Sequence, residues 1–254
     1  MSGRRLSISI AVVISLAFVR SVGAEVLVSA ASSLTDVLTT VAASYEKATG
    51  ERVRLNLGAS NTLARQIVSG ARVDVFISAD EAQMNRVTAD ILAGTRVELL
   101  TNQLAVAVPG DGVPLRGVQG LLDATVRRVA IGDPAAVPAG VYAKQYLESR
   151  GLWLRLQSKL VPVGSARLAL AAVESGAADA AIVYATDVAA ARGARTALVV
   201  PVAEGPRIVY PAAVMRDAPN LKSGRRFLDF LQGRLAATIF TAAGFGTAAG
   251  NRQP

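Results

Sequence analysis

Four segments of the sequence place small residues between an apolar run and a helical pattern. They lie at 30–36, 58–62, 133–140 and 164–167. The first N–H groups of a helix have no intrahelical partner, and the helix dipole gives that end a partial positive charge. Small side chains let an anion approach these N–H groups, so each segment is a candidate anion contact. Taken alone, each is more simply explained as a helix cap, and Ser33 with Asp36 fits a capping box.

Histidine and cysteine are both absent from the chain. Their absence excludes imidazole acid–base catalysis, thiolate nucleophiles, iron–sulfur clusters and the usual zinc sites. If the chain were an enzyme, the remaining class would be a serine hydrolase with a non-histidine base, yet no GxSxG motif is present. Ser44 and Lys47 fit an S-x-x-K pattern, but they lie at the end of an amphipathic helical pattern and no partner motif follows. We therefore interpret the chain as a binding protein without a cofactor, not as an enzyme.

The composition also bears on possible partners. The formal net charge is +8, but the basic residues are scattered and aromatic residues make up only 5% of the chain. A nucleic-acid-binding surface concentrates basic residues in a stripe and often interleaves aromatic ones. We therefore expect no nucleic-acid partner, and interpret the charge as a source of solubility with a mild attraction for anions.

Residues 1–24 have the pattern of a signal peptide. Arg4 and Arg5 form a positive start, and small residues precede a cleavage site after Ala24. The apolar run between them, 6–19, is shorter than the roughly 20 residues that a membrane span needs. The alternative is an uncleaved N-terminal anchor. The pattern predicts export to the periplasm, by either the general secretory or the twin-arginine route.

From residue 25 onward, strand-like apolar runs alternate with amphipathic helical patterns. The runs predicted as strands are 26–29, 53–57, 74–78, 104–108, 128–131, 160–163, 180–184 and 208–215. This alternation predicts an α/β fold in which mostly parallel sheets are flanked by helices. In such a sheet the four turns described above lie at the carboxyl edge of the strands, where ligands bind.

The alternating patterns divide into two sets, which predicts two lobes. No linker rich in Pro, Ser or Gly separates the sets, so we expect a strand hinge near 102–105 and 208–211. Two of the four turns fall in each set, and a cleft between the lobes would surround one anion. The predicted organisation is signal peptide 1–24, lobe one 25–103 plus 211–254, and lobe two 104–210.

Motifs along the mature chain resemble those of the periplasmic molybdate-binding proteins of ABC transporters, which belong to the type II periplasmic binding proteins. The motifs are AASSLT at 30–35, SNTLARQI at 60–67, DVFISAD at 74–80, GDP at 132–134, VPAGVYAK at 137–144, IVY at 182–184 and YP at 210–211. They occur in the same order as in the family and cover nearly all of the chain after residue 24. The resemblance implies the two-lobe periplasmic binding protein fold with a hinge.

The resemblance also implies a set of ligand residues for molybdate or tungstate. Ser33 and Ser60 would supply hydroxyl and backbone N–H donors from lobe one. Ala139 and Ala166 would supply backbone N–H donors from lobe two, and Tyr184 would reach the ligand with its hydroxyl group. The metal would be bound only as its oxyanion, through these five residues. The implied partner is a membrane ABC permease, and the expected oligomeric state is a monomer.

Two positions depart from the family pattern. Asn61 stands where a serine is common, and Gly164–Ser165 stands where an acidic residue is expected. Ser165 would add a donor, so the preference among oxyanions is less determined than the fold. A neutral set of donors suits a fully deprotonated dianion, whereas phosphate keeps a proton that requires an acceptor. Another tetrahedral oxyanion such as sulfate remains an alternative ligand, and a sensor remains an alternative partner to the permease.

Overall fold

The computed structural model describes residues 25–112 and 114–247. The predicted signal peptide and its cleavage site lie outside these residues, as does the end of the chain from 248. Within the described ranges, no helix combines the length and the apolar character needed to cross a bilayer.

The chain builds most of one lobe before it enters the other. The first set of elements is β1 (Glu25–Ala31), α1 (Thr35–Thr49), β2 (Arg52–Gly58), α2 (Ser60–Val68), β3 (Val75–Ile77), α3 (Glu81–Arg86) and β4 (Val97–Asn102). A short 3-10 turn, Ser32–Leu34, joins β1 to α1. The sequence at 34–45 has an amphipathic pattern, and most of it lies in α1, whose apolar face is buried on the sheet.

The second lobe follows directly, and the chain then returns to the first. The second lobe contains β5 (Leu104–Pro109), β6 (Val129–Gly132), α4 (Pro138–Ser149), α5 (Trp153–Leu156), β7 (Leu160–Val163), α6 (Ala166–Glu174), β8 (Ala180–Tyr184), α7 (Ala185–Ala189) and β9 (Ala194–Val199). The returning segment contains β10 (Ile208–Val214), α8 (Leu221–Leu231), α9 (Arg234–Ala242) and β11 (Gly246–Thr247).

Each lobe contains one mixed sheet. The strand order is β11-β4-β10-β3-β1-β2 in the first and β7-β6-β8-β5-β9 in the second. The strands β2-β1-β3 and β7-β6-β8 are parallel, as the strand–helix alternation predicts. The other pairs are antiparallel. In two of them, β5 and β10 start where the chain crosses between the lobes, whereas their neighbours β8 and β3 run toward the cleft. The pairing of Leu104 with Tyr184 illustrates this, since β5 begins where β8 ends.

Local signals position α1 as the sequence indicates. Gly50 ends the helix in the left-handed conformation at φ 74°, which glycine adopts without steric cost. Near this end Tyr45 is fully buried, and its ring meets Phe227 and Phe230 edge to face at centroid distances of 5.0 and 5.2 Å. These contacts join α1 to α8, so the returning segment completes the core of the first lobe.

A close backbone contact fixes the start of α4 against the end of β6. A Cβ atom added at Gly140 would lie only 1.9 Å from the carbonyl oxygen of Gly132. Only a residue without a side chain permits this approach. The contact places the first turn of α4, which contains Ala139, at the carboxyl edge of the second sheet.

Several elements differ from the sequence prediction. Strands β4 and β9 are not predicted, because their exposed and half-buried residues interrupt the apolar pattern. The helical pattern that the sequence shows at 225–240 corresponds to two helices, α8 and α9, which are divided at Gln232–Gly233. The predicted Ser33–Asp36 capping box is wrong, since α1 begins at Thr35 and has no side-chain cap. The 3-10 turn instead directs the Ser33 hydroxyl group toward Tyr210.

Candidate functional site

A small cavity lies between the lobes, at the carboxyl ends of strands from both sheets. The cavity is small, with about 220 Å³ of space between protein atoms, part of which is open to solvent. The lining residues are Ala31, Ser32, Ser33, Gly58, Ala59, Ser60, Ala79, Val137, Pro138, Ala139, Ser165, Ala166 and Tyr184. None of them carries a formal charge. The structure thus brings all five predicted ligand residues to one small neutral cavity, and their role as ligands stays a prediction.

Three serines of the first lobe, Ser32, Ser33 and Ser60, line the cavity, and the last two are predicted ligands. Ser60 is the first residue of α2, and its Oγ accepts the backbone N–H of Ala79 at 2.9 Å. A backbone N–H can only donate, so the hydroxyl proton of Ser60 is left to point elsewhere. Ser33 is buried, and its Oγ lies 3.0 Å from the hydroxyl oxygen of Tyr210. Both serines therefore have one partner in the protein and retain hydrogen-bonding capacity toward the cavity.

Two helix starts face the cavity from the second lobe. Ala139 follows Pro138 in the first turn of α4, where backbone N–H groups lack intrahelical acceptors. Ala166 begins α6, and Ser165 caps that helix by accepting the backbone N–H of Leu168 at 3.1 Å. Because Ser165 accepts this bond, its own proton remains available as a donor. The departure at Gly164–Ser165 thus places a further hydroxyl group, and no negative charge, beside the cavity.

Tyr184 closes the cavity at the end of β8. Its side chain is 1% exposed, and its hydroxyl group has no hydrogen-bond partner among the described residues. Burial, followed by the nearby Tyr210, Tyr142 and the carboxylates of Asp80 and Asp187, raises the pKa of Tyr184 well above its ordinary value. The group is therefore a neutral donor at all physiological pH values. A buried hydroxyl group without a hydrogen-bond partner is costly. Such a group is expected where a bound ligand supplies the missing acceptor.

A charged group spans the two lobes beside the cavity. Arg167 of α6 forms an ion pair with Asp36 of α1, in the other lobe. Its Nε also lies 3.2 Å from Oδ1 of Asp187, which is fully buried at the start of α7. Burial raises the pKa of the Asp187 carboxyl to about 7, and the Arg167 charge acts in the opposite direction. The sequence prediction gave Arg167 and Asp187 no role, and gave Asp36 only that of a helix cap.

Tyr210 and Asn102 are further residues that the sequence did not single out as functional. Both lie behind Ser33 and neither lines the cavity. The only sequence signal was the YP motif at 210–211, which identified the family and gave no role to the tyrosine. Their contacts depend on strands β4 and β10, which are far apart in the chain and adjacent in the first sheet.

The arrangement favours binding over catalysis. The partner of Ser60 is a backbone N–H and the partner of Ser33 is a neutral tyrosine, so neither serine contacts a general base. The hydroxyl group of Ser44, in the S-x-x-K pattern, donates to the carbonyl of Thr40 on an exposed helix face. Among the described residues, no group of three or more carboxylates could hold a metal ion. The cavity presents donors, which suits a metal bound as an oxyanion.

Comparison with known proteins identifies the family. The model of the family described as bacterial extracellular solute-binding protein matches residues 26–246. The molybdate-binding protein ModA of Escherichia coli is 37% identical over 230 residues, which cover 87% of this chain and 88% of that protein. The predicted resemblance is thereby confirmed.

Solved structures confirm the two-lobe α/β fold. The periplasmic molybdate-binding protein of Azotobacter vinelandii aligns with a TM-score of 0.78 at 27% identity, over 87% of this chain and 98% of that one. The sulfate-binding protein SubI of Mycobacterium tuberculosis aligns with a TM-score of 0.75 over 89% of this chain and 87% of that one. Its identity of 15% supports the fold alone. By sequence and fold together, this chain belongs to the bacterial extracellular solute-binding proteins, in the group that includes the molybdate-binding proteins.

Proposed function

We propose that this protein captures molybdate in the interlobe cavity, takes tungstate as a second ligand, and delivers the anion to a membrane ABC permease. One observation carries the proposal: hydroxyl groups and helix starts from both lobes converge on a small cavity whose lining has no charged side chain. Homology to proteins named for molybdate binding supports the choice of ligand. No covalent step is involved, and no cofactor is needed.

The ligand residues we propose are Ser33, Ser60, Ala139, Ala166 and Tyr184. The serines and the tyrosine would donate O–H groups, and the two alanines would donate backbone N–H groups at helix starts. Preorganised donors of this kind stabilise negative charge at no cost of reorganisation. The unpartnered Tyr184 hydroxyl supports this assignment most strongly, because a ligand oxygen would supply its missing acceptor.

Export and lobe movement complete the proposal. We infer that residues 1–24 direct the chain to the periplasm and are removed after Ala24, and that the mature protein acts as a monomer. We assign lobe one to 25–103 plus 211–254 and lobe two to 104–210. The single residue between β4 and β5, and the return into β10, support a hinge there. Closure of the lobes around the anion would create the surface that the permease recognises.

Selectivity among oxyanions tests the donor cavity directly. We expect molybdate and tungstate to bind tightly, sulfate more weakly because it is smaller, and phosphate poorly because its proton faces donors. No lining group titrates between about pH 6 and 9, so molybdate affinity should be nearly constant there. The measurement is a calorimetric competition of the four anions at about pH 6, 7.5 and 9. Phosphate binding as tight as molybdate binding would contradict the proposal.

Asp187 is one structural candidate for any residual pH dependence, and the buried Asp80 is another. Burial raises the pKa of Asp187 to about 7, although this residue does not line the cavity. Repeating the titration with Asp187→Asn would therefore show whether the slope comes from the field of that carboxylate. A steep slope that persists in Asp187→Asn would mean that another group near the cavity titrates in this range.

Removal of the Tyr184 hydroxyl group tests the ligand assignment. A hydrogen bond to a charged ligand contributes roughly 1.5–3 kcal/mol, so Tyr184→Phe should weaken molybdate binding about 10- to 100-fold. The fold should tolerate the change, because this hydroxyl has no protein partner to lose. Calorimetry measures the affinity, and thermal unfolding of the ligand-free variant checks the fold.

A matched control separates this effect from the loss of any buried tyrosine hydroxyl. Tyr45 is also fully buried, and its hydroxyl group donates to Glu51 away from the cavity. Tyr45→Phe should lower stability and leave molybdate affinity unchanged. Wild-type affinity in Tyr184→Phe would show that Tyr184 serves only the core.

A further inference from the structure

The Ser33 hydroxyl group is the first member of a buried hydrogen-bonded chain that leads away from the cavity. Its Oγ lies 3.0 Å from Oη of Tyr210, which is fully buried in β10. The same Tyr210 oxygen lies 3.3 Å from Nδ2 of Asn102, the last residue of β4. Two hydroxyl groups can exchange the roles of donor and acceptor. Which of Ser33 and Tyr210 donates therefore depends on whether Asn102 donates to Tyr210 or accepts from it.

The orientation of the Asn102 amide is fixed by a backbone group. The N–H of Gln103 donates to Oδ1 of Asn102 at 2.8 Å, and a backbone N–H cannot act as an acceptor. The other terminal atom is therefore Nδ2, which can only donate. It donates to Oγ1 of Thr186 at 2.8 Å and to Oη of Tyr210.

This fixed donor determines the direction of the remaining bond. The Tyr210 oxygen accepts from Asn102, and its own proton then has Ser33 Oγ as its hydrogen-bond partner within the described residues. If Ser33 donated instead, the Tyr210 proton would be buried without an acceptor, which is costly. Burial also raises the pKa of Tyr210 well above its ordinary value, so the proton stays in place. Ser33 Oγ accepts from Tyr210, and its own O–H remains to point into the cavity.

We propose that Asn102 and Tyr210 are positioning residues that commit the Ser33 hydroxyl to donating into the cavity, and thereby exclude oxyanions that carry a proton. The inference rests on the proposed oxyanion function and deepens it. A protonated oxyanion needs an acceptor in the site, and a serine oxygen would supply one if its proton turned away. The hydrogen bonds from Gln103 through Asn102 and Tyr210 to Ser33 prevent the Ser33 proton from turning away from the cavity.

Ser60 is also fixed as a donor toward the cavity, and a single hydrogen bond is enough to fix it. Ser60 Oγ accepts from the N–H of Ala79, a group that cannot reverse. The partner of Ser33 is a hydroxyl group, which can reverse, and Asn102 removes this freedom. Ser33 and Ser60 are therefore both fixed as donors, which is the property that separates an unprotonated oxyanion such as molybdate from phosphate, which keeps a proton.

The test compares selectivity in the wild type and in Tyr210→Phe. Without the Tyr210 proton, the Ser33 oxygen has a free lone pair and can accept the proton of phosphate. We expect molybdate affinity to fall about tenfold, the effect of losing one oriented hydrogen bond. Phosphate affinity should hold or rise, so the molybdate-to-phosphate ratio should fall at least about tenfold. Calorimetric titration of each anion at one pH gives the ratio.

Two backgrounds separate positioning from a general structural effect. In Ser33→Ala the chain has no hydroxyl left to orient, so adding Tyr210→Phe should cause no further change in selectivity. In Ser60→Ala, the matched control, Tyr210→Phe should lower the ratio as it does in the wild type. An equal loss of selectivity in both backgrounds would overturn the proposal, because the effect of Tyr210→Phe would then not act through Ser33.

Asn102→Asp provides a second variant that does not depend on removing the tyrosine hydroxyl. The carboxylate keeps the acceptor for Gln103 N–H and replaces the Nδ2 donor by an acceptor. The Tyr210 proton would then turn to position 102, and Ser33 would donate to Tyr210. The added charge weakens the binding of every anion, so the readout is the molybdate-to-phosphate ratio. This ratio should again fall, because Ser33 no longer donates into the cavity. An unchanged ratio in both Tyr210→Phe and Asn102→Asp overturns the inference alone, whereas a wild type that binds none of the anions overturns the proposed function with it.

Discussion

Saturating molybdate is expected to raise the melting temperature of this protein by roughly 8–16 °C. A ligand present at about a thousand times its dissociation constant stabilises the folded state by roughly 4 kcal/mol. For a chain of this size, each kcal/mol corresponds to about 2–4 °C. The effect should be large because the lining comes from both lobes, so the bound anion links them. Differential scanning calorimetry with and without molybdate, and with tungstate, measures the shift.

Two comparisons give this melting experiment its specificity. Phosphate at the same concentration should produce little shift, because the cavity offers it no acceptor for its proton. Tyr184→Phe should reduce the shift at a fixed molybdate concentration, in line with its weaker binding. Melting temperatures that do not respond to molybdate or tungstate would rule out the proposed ligand.

Replacement of Arg167 by methionine is expected to destabilise the protein by an amount that grows with pH. Arg167 is the cation beside the buried Asp187 carboxyl, whose pKa burial raises to about 7. In the unfolded chain this carboxyl ionises near pH 4. Because the folded-state pKa is the higher one, the contribution of Asp187 to stability is complete below about pH 4. It is lost as the pH rises through about 7.

Without Arg167 the free energy of unfolding continues to fall at pH values above about 7. The guanidinium lowers the pKa of Asp187 by stabilising its charged form, so the variant must keep the carboxyl protonated or bury it as an unpaired charge. Each pH unit above about 7 then costs about 1.4 kcal/mol. The penalty of Arg167→Met should therefore be roughly 3 kcal/mol larger at about pH 9 than at about pH 5. Denaturant unfolding of both proteins across this range measures it.

Two controls isolate the buried carboxyl. Arg96→Met removes a partly exposed ion pair with Glu81, and should cost at most about 1 kcal/mol without a step near pH 7. Adding Asp187→Asn to Arg167→Met should abolish the growth of the penalty with pH, since no carboxyl is left to titrate. A penalty that stays constant from pH 5 to pH 9 would show that Arg167 acts through packing or through Asp36 alone.

The local features of the site could be predicted because they depend on short stretches of chain. The N-terminal starts of α2, α4 and α6 follow from small residues after an apolar run. The parallel strands β2-β1-β3 and β7-β6-β8 follow from alternation with helices. Departures concentrate where the local signal is weak, as in β4 and β9, whose residues are only partly buried.

The Ser33–Asp36 capping box shows where the local argument stops. The two residues have the right types and spacing for a reciprocal cap. In the fold, a 3-10 turn precedes the helix, Ser33 contacts Tyr210, and Asp36 pairs with Arg167 of the other lobe. Both side chains therefore have partners more than a hundred residues away in sequence. Contacts at that separation compete with local capping, and no local pattern reports them.

The sequence by itself determined that this chain has no histidine or cysteine chemistry, that it alternates strands with helices in two lobes, and which helix starts we predict to approach an anion. These properties follow from composition and from contacts between near neighbours in the chain. Only the tertiary structure decided that the helix starts of both lobes meet at one neutral cavity. It also decided that Asn102 and Tyr210 orient Ser33, because β4 and β10 become neighbours only when the chain returns from the second lobe to complete the first sheet.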